Sequence, residues 1–93
     1  MRVKFSPQVA DERIKYIFER DKITATIGGV TDVFDFREFP DGELEVDSIE
    51  TDLPVQPIIS ARRVDGVLEV ILLNWISTDA SEEEKFPKWF EVN

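Results

Sequence analysis

The chain contains no cysteine and no histidine among its ninety-three residues. Without cysteine there can be no disulfide framework, no thiolate chemistry and no Cys-ligated zinc. Without histidine the commonest general base and metal ligand is missing as well. Long apolar runs are also lacking. The longest, VILLNWI, is interrupted by Asn74 and falls far short of the ~20 residues of a membrane-spanning helix. The opening MRVKFSPQVADERIK holds no apolar core of signal-peptide length, so the reading is a soluble chain without a cleaved leader. The phosphate-cradling patterns Gly-x-x-x-x-Gly-Lys and Gly-x-Gly-x-x-Gly do not occur. Five serines are present, but there is no Ser-x-x-Lys and no imidazole to activate a hydroxyl. Lys4, Lys15, Lys22, Lys85 and Lys88 all sit in charged or polar contexts, without the desolvation that nucleophilic work asks of a lysine. These absences point away from catalysis, and no catalytic residue, cofactor or metal site is assigned.

Positive charge is scarce too: eleven Lys and Arg stand against twenty Asp and Glu, for a net charge of −9. Nucleic acid and anionic membranes are poor partners for such a surface, since binding them relies on Lys and Arg. A basic protein surface, or one that normally holds DNA, is the better match. Acidity also serves solubility alone. The length allows a single domain, residues 1–93, with a lean core. Apolar residues make up 42% of the chain, as in an ordinary globular protein.

What is present is mostly β signal. In PIISARRVDGVLEVILLNW, Asp65-Gly66 lies between two Val/Ile-rich runs, the favoured two-residue hairpin turn. That turn sets Val64 opposite Val67, Arg63 opposite Leu68, Arg62 opposite Glu69, Ala61 opposite Val70 and Ile59 opposite Leu72. One face, with Ile59, Ala61, Leu68, Val70 and Leu72, is expected in the core. Val70 to Leu73 is apolar on both faces, as in a central strand. A second hairpin is expected at KITATIGGVTDVFDF, where Gly28-Gly29 supplies positive φ at both turn positions. Its register pairs Lys22 with Asp35, Ile23 with Phe34, Thr26 with Thr31 and Ile27 with Val30, and leaves Asp32 awkwardly opposite Ala25.

Residues 9–20 fit two patterns. Ile14, Tyr16 and Phe18 alternate as in a half-buried strand. Ala10, Ile14, Ile17 and Phe18 also recur at helical spacing, and Ser6-Pro7 resembles a helix start. Strand is favoured narrowly, with RVKFS before it pairing at a sheet edge. Near the other end, Asp79 with Glu82 three residues later resembles a capping box. Pro87 stops the short helix expected near residues 80–85. FPKWFEV then reads as a final strand or extended segment.

The stretch VFDFREFPDGELEVDSIETD, residues 33–52, gathers three phenylalanines and a run of carboxylates. Counted from Asp41, the acids Glu43, Glu45 and Asp47 fall at calcium-loop spacing, but Val46 stands where such a loop needs glycine and Asp52 where it needs glutamate. The expectation is strand at 33–36, a turn at 39–42 and a charged exposed loop at 43–52. Trp75, Phe86, Trp89 and Phe90 are the candidate partner-binding residues, because aromatics concentrate at protein interfaces; a core role competes. Trp89 and Phe90, adjacent on an extended tail, must point to opposite faces. If the tail pairs with one sheet only, one of the two is left for a partner or solvent.

Taken together, Phe34-Asp35-Phe36, Pro40-Asp41-Gly42, Pro57, Arg63-x-Asp65-Gly66-x-Leu68 leading to Leu72-Leu73, then Ala80, Glu83 and Phe86-Pro87 resemble a family. Its members are small phage and prophage proteins encoded near tail-fibre and tail-assembly genes. The relatives carry a Pro- or Gly-containing loop after the Leu-Leu, where this chain has Asn74-Trp75-Ile76-Ser77. The resemblance implies a setting in the host bacterial cytoplasm or the virion, favours strand at residues 12–20, and supplies no catalytic residues. The resulting expectation is a mainly β domain of five to seven antiparallel strands with one short helix. It would be a non-enzymatic tail-assembly factor or minor tail component binding phage tail proteins, with homodimerisation supplementing the lean core. The alternative is an acidic DNA mimic that occupies a host DNA-binding protein.

Overall fold

The computed structural model describes residues 1–92. The chain is mainly β, arranged as two sheets packed face to face. Strands β1 (Arg2–Val9), β2 (Ile14–Glu19), β3 (Lys22–Ile27) and β4 (Val30–Asp35) come first. The two-residue β5 (Gly42–Glu43), a 3-10 turn at Val46–Ser48, β6 (Ile58–Val64) and β7 (Val67–Ile76) follow. The helix α1 (Glu82–Lys85) and the two-residue β8 (Phe90–Glu91) complete the chain. The larger sheet runs β5-β6-β7-β1-β8, and the smaller is the meander β2-β3-β4.

Residues 9–20 resolve as the end of β1, a short connection and strand β2. The strand pattern prevails because Ile14, Tyr16 and Phe18 face the opposing sheet while Lys15, Ile17 and Glu19 face out. Strand β2 returns as β3 through a two-residue turn at Arg20-Asp21, with φ of 45° and 60°. No glycine marks that turn, and Asp21 is its single residue of a type enriched at positive φ. The Gly28-Gly29 and Asp65-Gly66 hairpins form with the expected pairs, with one exception. Leu72 pairs with Ile58 rather than Ile59, because a β-bulge inserts one residue into β6. Ile58 is therefore 1% exposed and Ile59 44% exposed, a correction to the expected core face.

The larger sheet is not wholly antiparallel. Strand β1 pairs in parallel with β7, from Arg2 opposite Glu69 to Val9 opposite Ile76. On its other side β8 covers only Arg2 and Val3. The RVKFS segment is thus an inner strand at its start and an edge further on. Pro7 sits on that bare stretch, where it has no N–H to offer an intruding strand.

The core lies between the sheets. Val3, Leu68, Val70 and Leu72 from one meet Ile14, Ile23, Ala25, Ile27 and Phe34 from the other, each large side chain contributing about 1.5–3 kcal/mol by leaving water. Phe5, Tyr16, Phe18 and Phe90 form an aromatic row with ring centroids 5.4 to 6.4 Å apart. The Tyr16 hydroxyl donates to the Leu73 carbonyl, and burial pushes its pKa well above the ordinary tyrosine value.

At one end of the sandwich, Arg63 acts as a clasp. Its guanidinium donates to the carbonyls of Phe39 and Phe36, both at 2.7 Å, to Gly66 at 3.0 Å and to Asp21 Oδ2 at 2.9 Å. It thereby joins the β2–β3 turn, the segment after β4 and the β6–β7 hairpin.

The acidic stretch is more structured than expected. The hydrogen-bonded turn falls at residues 36–39, closed by Phe39 N–H on the Phe36 carbonyl, rather than at 39–42. Residues 43–52 are not a wholly exposed loop. Glu43, Glu45, Asp47, Glu50 and Asp52 face out, while Leu44, Val46 and Ile49 pack against the core together with buried Leu53. Helix α1 is capped by Ser81, whose hydroxyl accepts from Glu84 N–H. The expected cap, Asp79, accepts instead from the Ser77 hydroxyl. Among the described residues no helix is long and apolar enough to cross a membrane.

Candidate functional site: the outer face of the five-stranded sheet

On the solvent side of the larger sheet, pairing aligns Arg2, Glu69 and Arg62 across three strands. Glu69 Oε2 accepts from Arg2 Nη1 at 2.7 Å and Oε1 from Arg62 Nε at 2.8 Å. The Arg62 bond, with help from Arg2, holds Glu69 below the usual carboxylate range. The Arg2 guanidinium lies 5.2 Å from the Trp89 ring centroid, a cation–π contact. Trp89 immediately precedes β8, whose Phe90 turns inward onto Phe5 and Phe18. Alternation on the tail thus places Trp89 outside.

The result is a groove. Trp89, Ile71, Ser60, Leu44 and Glu43 line it above the Arg2–Glu69–Arg62 ladder. Beyond Ile71 a second depression continues between Ile59 and Pro87, bordered by Lys4 and Phe86. Phe86 is 71% exposed, the barest large apolar side chain described.

The four aromatic candidates separate accordingly. Phe86 and Trp89 share the outer face, one at each depression. Phe90 belongs to the inner aromatic row, and Trp75 is half-buried against the core, its carbonyl accepting from Arg13 Nη1 at 3.1 Å. Sequence pattern alone does not mark Ile59 and Ile71 as surface residues. The apolar pattern of Val70 to Leu73 on both faces was the available signal for Ile71. Ile59 reached the surface only through the bulge.

The carboxylates of residues 32–52 do not converge. Among the described residues no three Asp or Glu side chains gather as a metal site would require. Asp35 is held by Arg37 through contacts of 2.9 and 2.6 Å, which lower its pKa to about 2. Asp32, awkward in the hairpin register, proves to be a clamp. Its Oδ2 accepts from the Thr51 hydroxyl and Asp52 N–H, and Oδ1 accepts from Val33 N–H. Those bonds, the Thr51 hydroxyl first, lower its pKa and tie the acidic loop to β4. Every buried side-chain polar atom among the described residues has a partner. The arrangement offers a shaped, partly apolar surface.

Comparison with protein-family models, curated proteins and solved structures returns no match.

Proposed function

We propose that this chain is a non-enzymatic accessory protein that works by protein–protein contact through the outer face of its five-stranded sheet. The carrying observation is the groove where Trp89 and Ile71 stand over the ion-paired Arg2–Glu69–Arg62 ladder, with Phe86 exposed beside it. Exposed aromatic and arginine side chains around a groove are the usual makings of a binding hot spot. Charge on this face is mixed, Arg2, Arg62 and Lys4 against Glu69 and Glu43, so the fitting partner brings apolar residues with both acceptors for the cations and a donor for Glu43. The resemblance to tail-associated phage proteins favours a tail-fibre or baseplate protein as that partner, with this chain as an assembly factor or minor component. A DNA-mimic role is the weaker reading, because Arg2, Lys4 and Arg62 interrupt this face and a decoy needs continuous negative charge.

The test is an affinity capture of the tagged protein from cells producing the parent phage, followed by binding measurements on the recovered partner. Tail-fibre or baseplate proteins are expected, and Trp89→Ala or Phe86→Ala should each weaken binding by roughly 30-fold. Recovery of a host DNA-binding protein that is lost at high salt would replace this reading with the decoy. A tail protein that binds both variants undiminished would refute the groove.

A further inference from the structure

The edges of the two sheets are treated unequally. Strand β6 is shielded by β5 and by Leu44, whose N–H donates to Ala61. The open part of β1 carries Pro7. On β4, the outward N–H of Val33 is taken by the Asp32 carboxylate, and the loop at Thr51-Asp52 is tied beside it. These are familiar ways of blunting an edge. Strand β2 has none of them.

The register fixes which backbone groups β2 leaves bare. Glu19 and Lys22 flank a two-residue turn, so they form its hydrogen-bonded pair. Glu19, Ile17 and Lys15 therefore bond to β3, while the N–H and C=O groups of Ile14, Tyr16 and Phe18 point outward. None of those outward groups has a partner among the described residues. The outer-face side chains of the same strand are Lys15, Ile17 and Glu19, all exposed, with Ile17 at 66%.

From this edge we infer that the chain forms a two-fold homodimer by antiparallel pairing of β2 with β2 of a second copy, centred on Ile17. The segment Lys15-Tyr16-Ile17-Phe18-Glu19 is self-complementary about that centre. Ile17 meets the partner's Ile17 as a non-hydrogen-bonded pair, the kind in which side chains approach most closely. Tyr16 and the partner's Phe18 exchange backbone hydrogen bonds, and the symmetric pair does the same, so the outward groups of both residues are satisfied. Lys15 then faces the partner's Glu19, and Glu19 the partner's Lys15, an opposite-charge pair occurring twice. A register shifted by two residues in either direction breaks this charge match. The product is a continuous six-stranded sheet. Its outer face carries an unbroken row running Val33, Thr24, Ile17 and on through the same residues of the partner, since Ile17 pairs with Thr24 and Thr24 with Val33. This surface lies on the smaller sheet, away from the groove of the larger one, and stands or falls independently of it.

The experiment is sedimentation equilibrium on the full chain and on charge variants. The unmodified protein should show a reversible monomer–dimer equilibrium with a dissociation constant on the order of 10–100 µM, as suits a small interface. Lys15→Glu and Glu19→Lys should each weaken it at least ~10-fold, because symmetry creates two like-charge contacts from one substitution. Combining Lys15→Glu with Glu19→Lys should restore association to within roughly 3-fold, since the pairs are then exchanged rather than broken. Both positions are exposed, and circular dichroism confirms folding. Ile17→Lys, which sets two cations on the two-fold, should give monomer throughout. A protein that stays monomeric up to roughly 1 mM overturns the inference. So does a dimer indifferent to the single substitutions, or one that the double exchange fails to restore.

Discussion

Replacing Arg63 by methionine removes the guanidinium while keeping most of the aliphatic stem in place. The side chain is only 10% exposed, so what it leaves behind is not simply returned to water. Gly66 is exposed and its carbonyl can be rehydrated. The carbonyl of half-buried Phe39 is less accessible and costs about 1 kcal/mol or more when left unpaired, while that of buried Phe36 keeps the Phe39 N–H and loses a second, charge-assisted bond worth about 1 kcal/mol. Asp21 would lose its closest cation and keep only the Met1 ammonium, 3.9 Å away. That adds about 1 kcal/mol, discounted from the fully buried case because Asp21 is one-quarter exposed. The substitution should therefore destabilise the fold by about 3 kcal/mol, a large share of the roughly 5–15 kcal/mol of a small domain. Urea unfolding followed by tryptophan fluorescence should show the midpoint falling by about 2 M with an unchanged slope. Arg63→Lys keeps the charge but not the fork that reaches several acceptors, and should recover only a minor part. A double-mutant cycle with Asp21→Asn should give a coupling of about 1–2 kcal/mol. A loss under about 1 kcal/mol, or a coupling near zero, would show that the clasp is decoration rather than a fastening.

The β-bulge predicts opposite outcomes for neighbouring isoleucines: Ile58→Ala should cost about 3 kcal/mol and Ile59→Ala less than about 1 kcal/mol, measured by the same unfolding curves. Equal effects would contradict the register. Asp32→Asn at neutral pH should loosen the acidic loop by about 1 kcal/mol, read as faster proteolysis around residues 50–53. Because the native environment lowers the Asp32 pKa below its unfolded value of 3.8, its contribution is complete above that value and is lost as pH falls through the native one. The stability gap between wild type and Asp32→Asn should therefore be constant from pH 7 to about 5 and close as the solution is acidified below about 4. A gap that widened on acidification would reverse the assignment.

The parts of this fold that sequence reveals are those where turn chemistry fixes register over a short distance. Gly28-Gly29 and Asp65-Gly66 each determine the pairs that follow, since two-residue turns leave no freedom in alignment. The Arg20-Asp21 turn is hidden because only Asp21 belongs to a type enriched at positive φ, Arg20 does not, and no glycine stands at either position. What holds Asp21 there is Arg63, forty-two positions away, which no local pattern reports. The bulge at Ile59 is invisible for a similar reason, since Ile58 and Ile59 are chemically identical and only packing chooses between them. Alternation on the tail foretold that Trp89 and Phe90 would part. Which of them faces the core depends on β8 meeting β1. The groove was legible only in pieces: the Arg62–Glu69 pair came from the hairpin, but Arg2 joins it through a parallel pairing with no sequence signature.

That parallel pairing has a bearing on how the chain acquires its structure. Strand β1 is made well before its partner strand and pairs with Glu69 across a separation of sixty-seven residues, and the Met1 amino group meets the Val92 carbonyl across ninety-one. The β2–β4 meander is by contrast local and can form as it emerges. Such distant closures put the domain among slow folders, on the scale of roughly milliseconds to seconds. During synthesis the N-terminal strand must wait, with Val3 and Phe5 uncovered, until β7 has left the ribosome. Strand β8, made after β7, then closes over Arg2 and Val3.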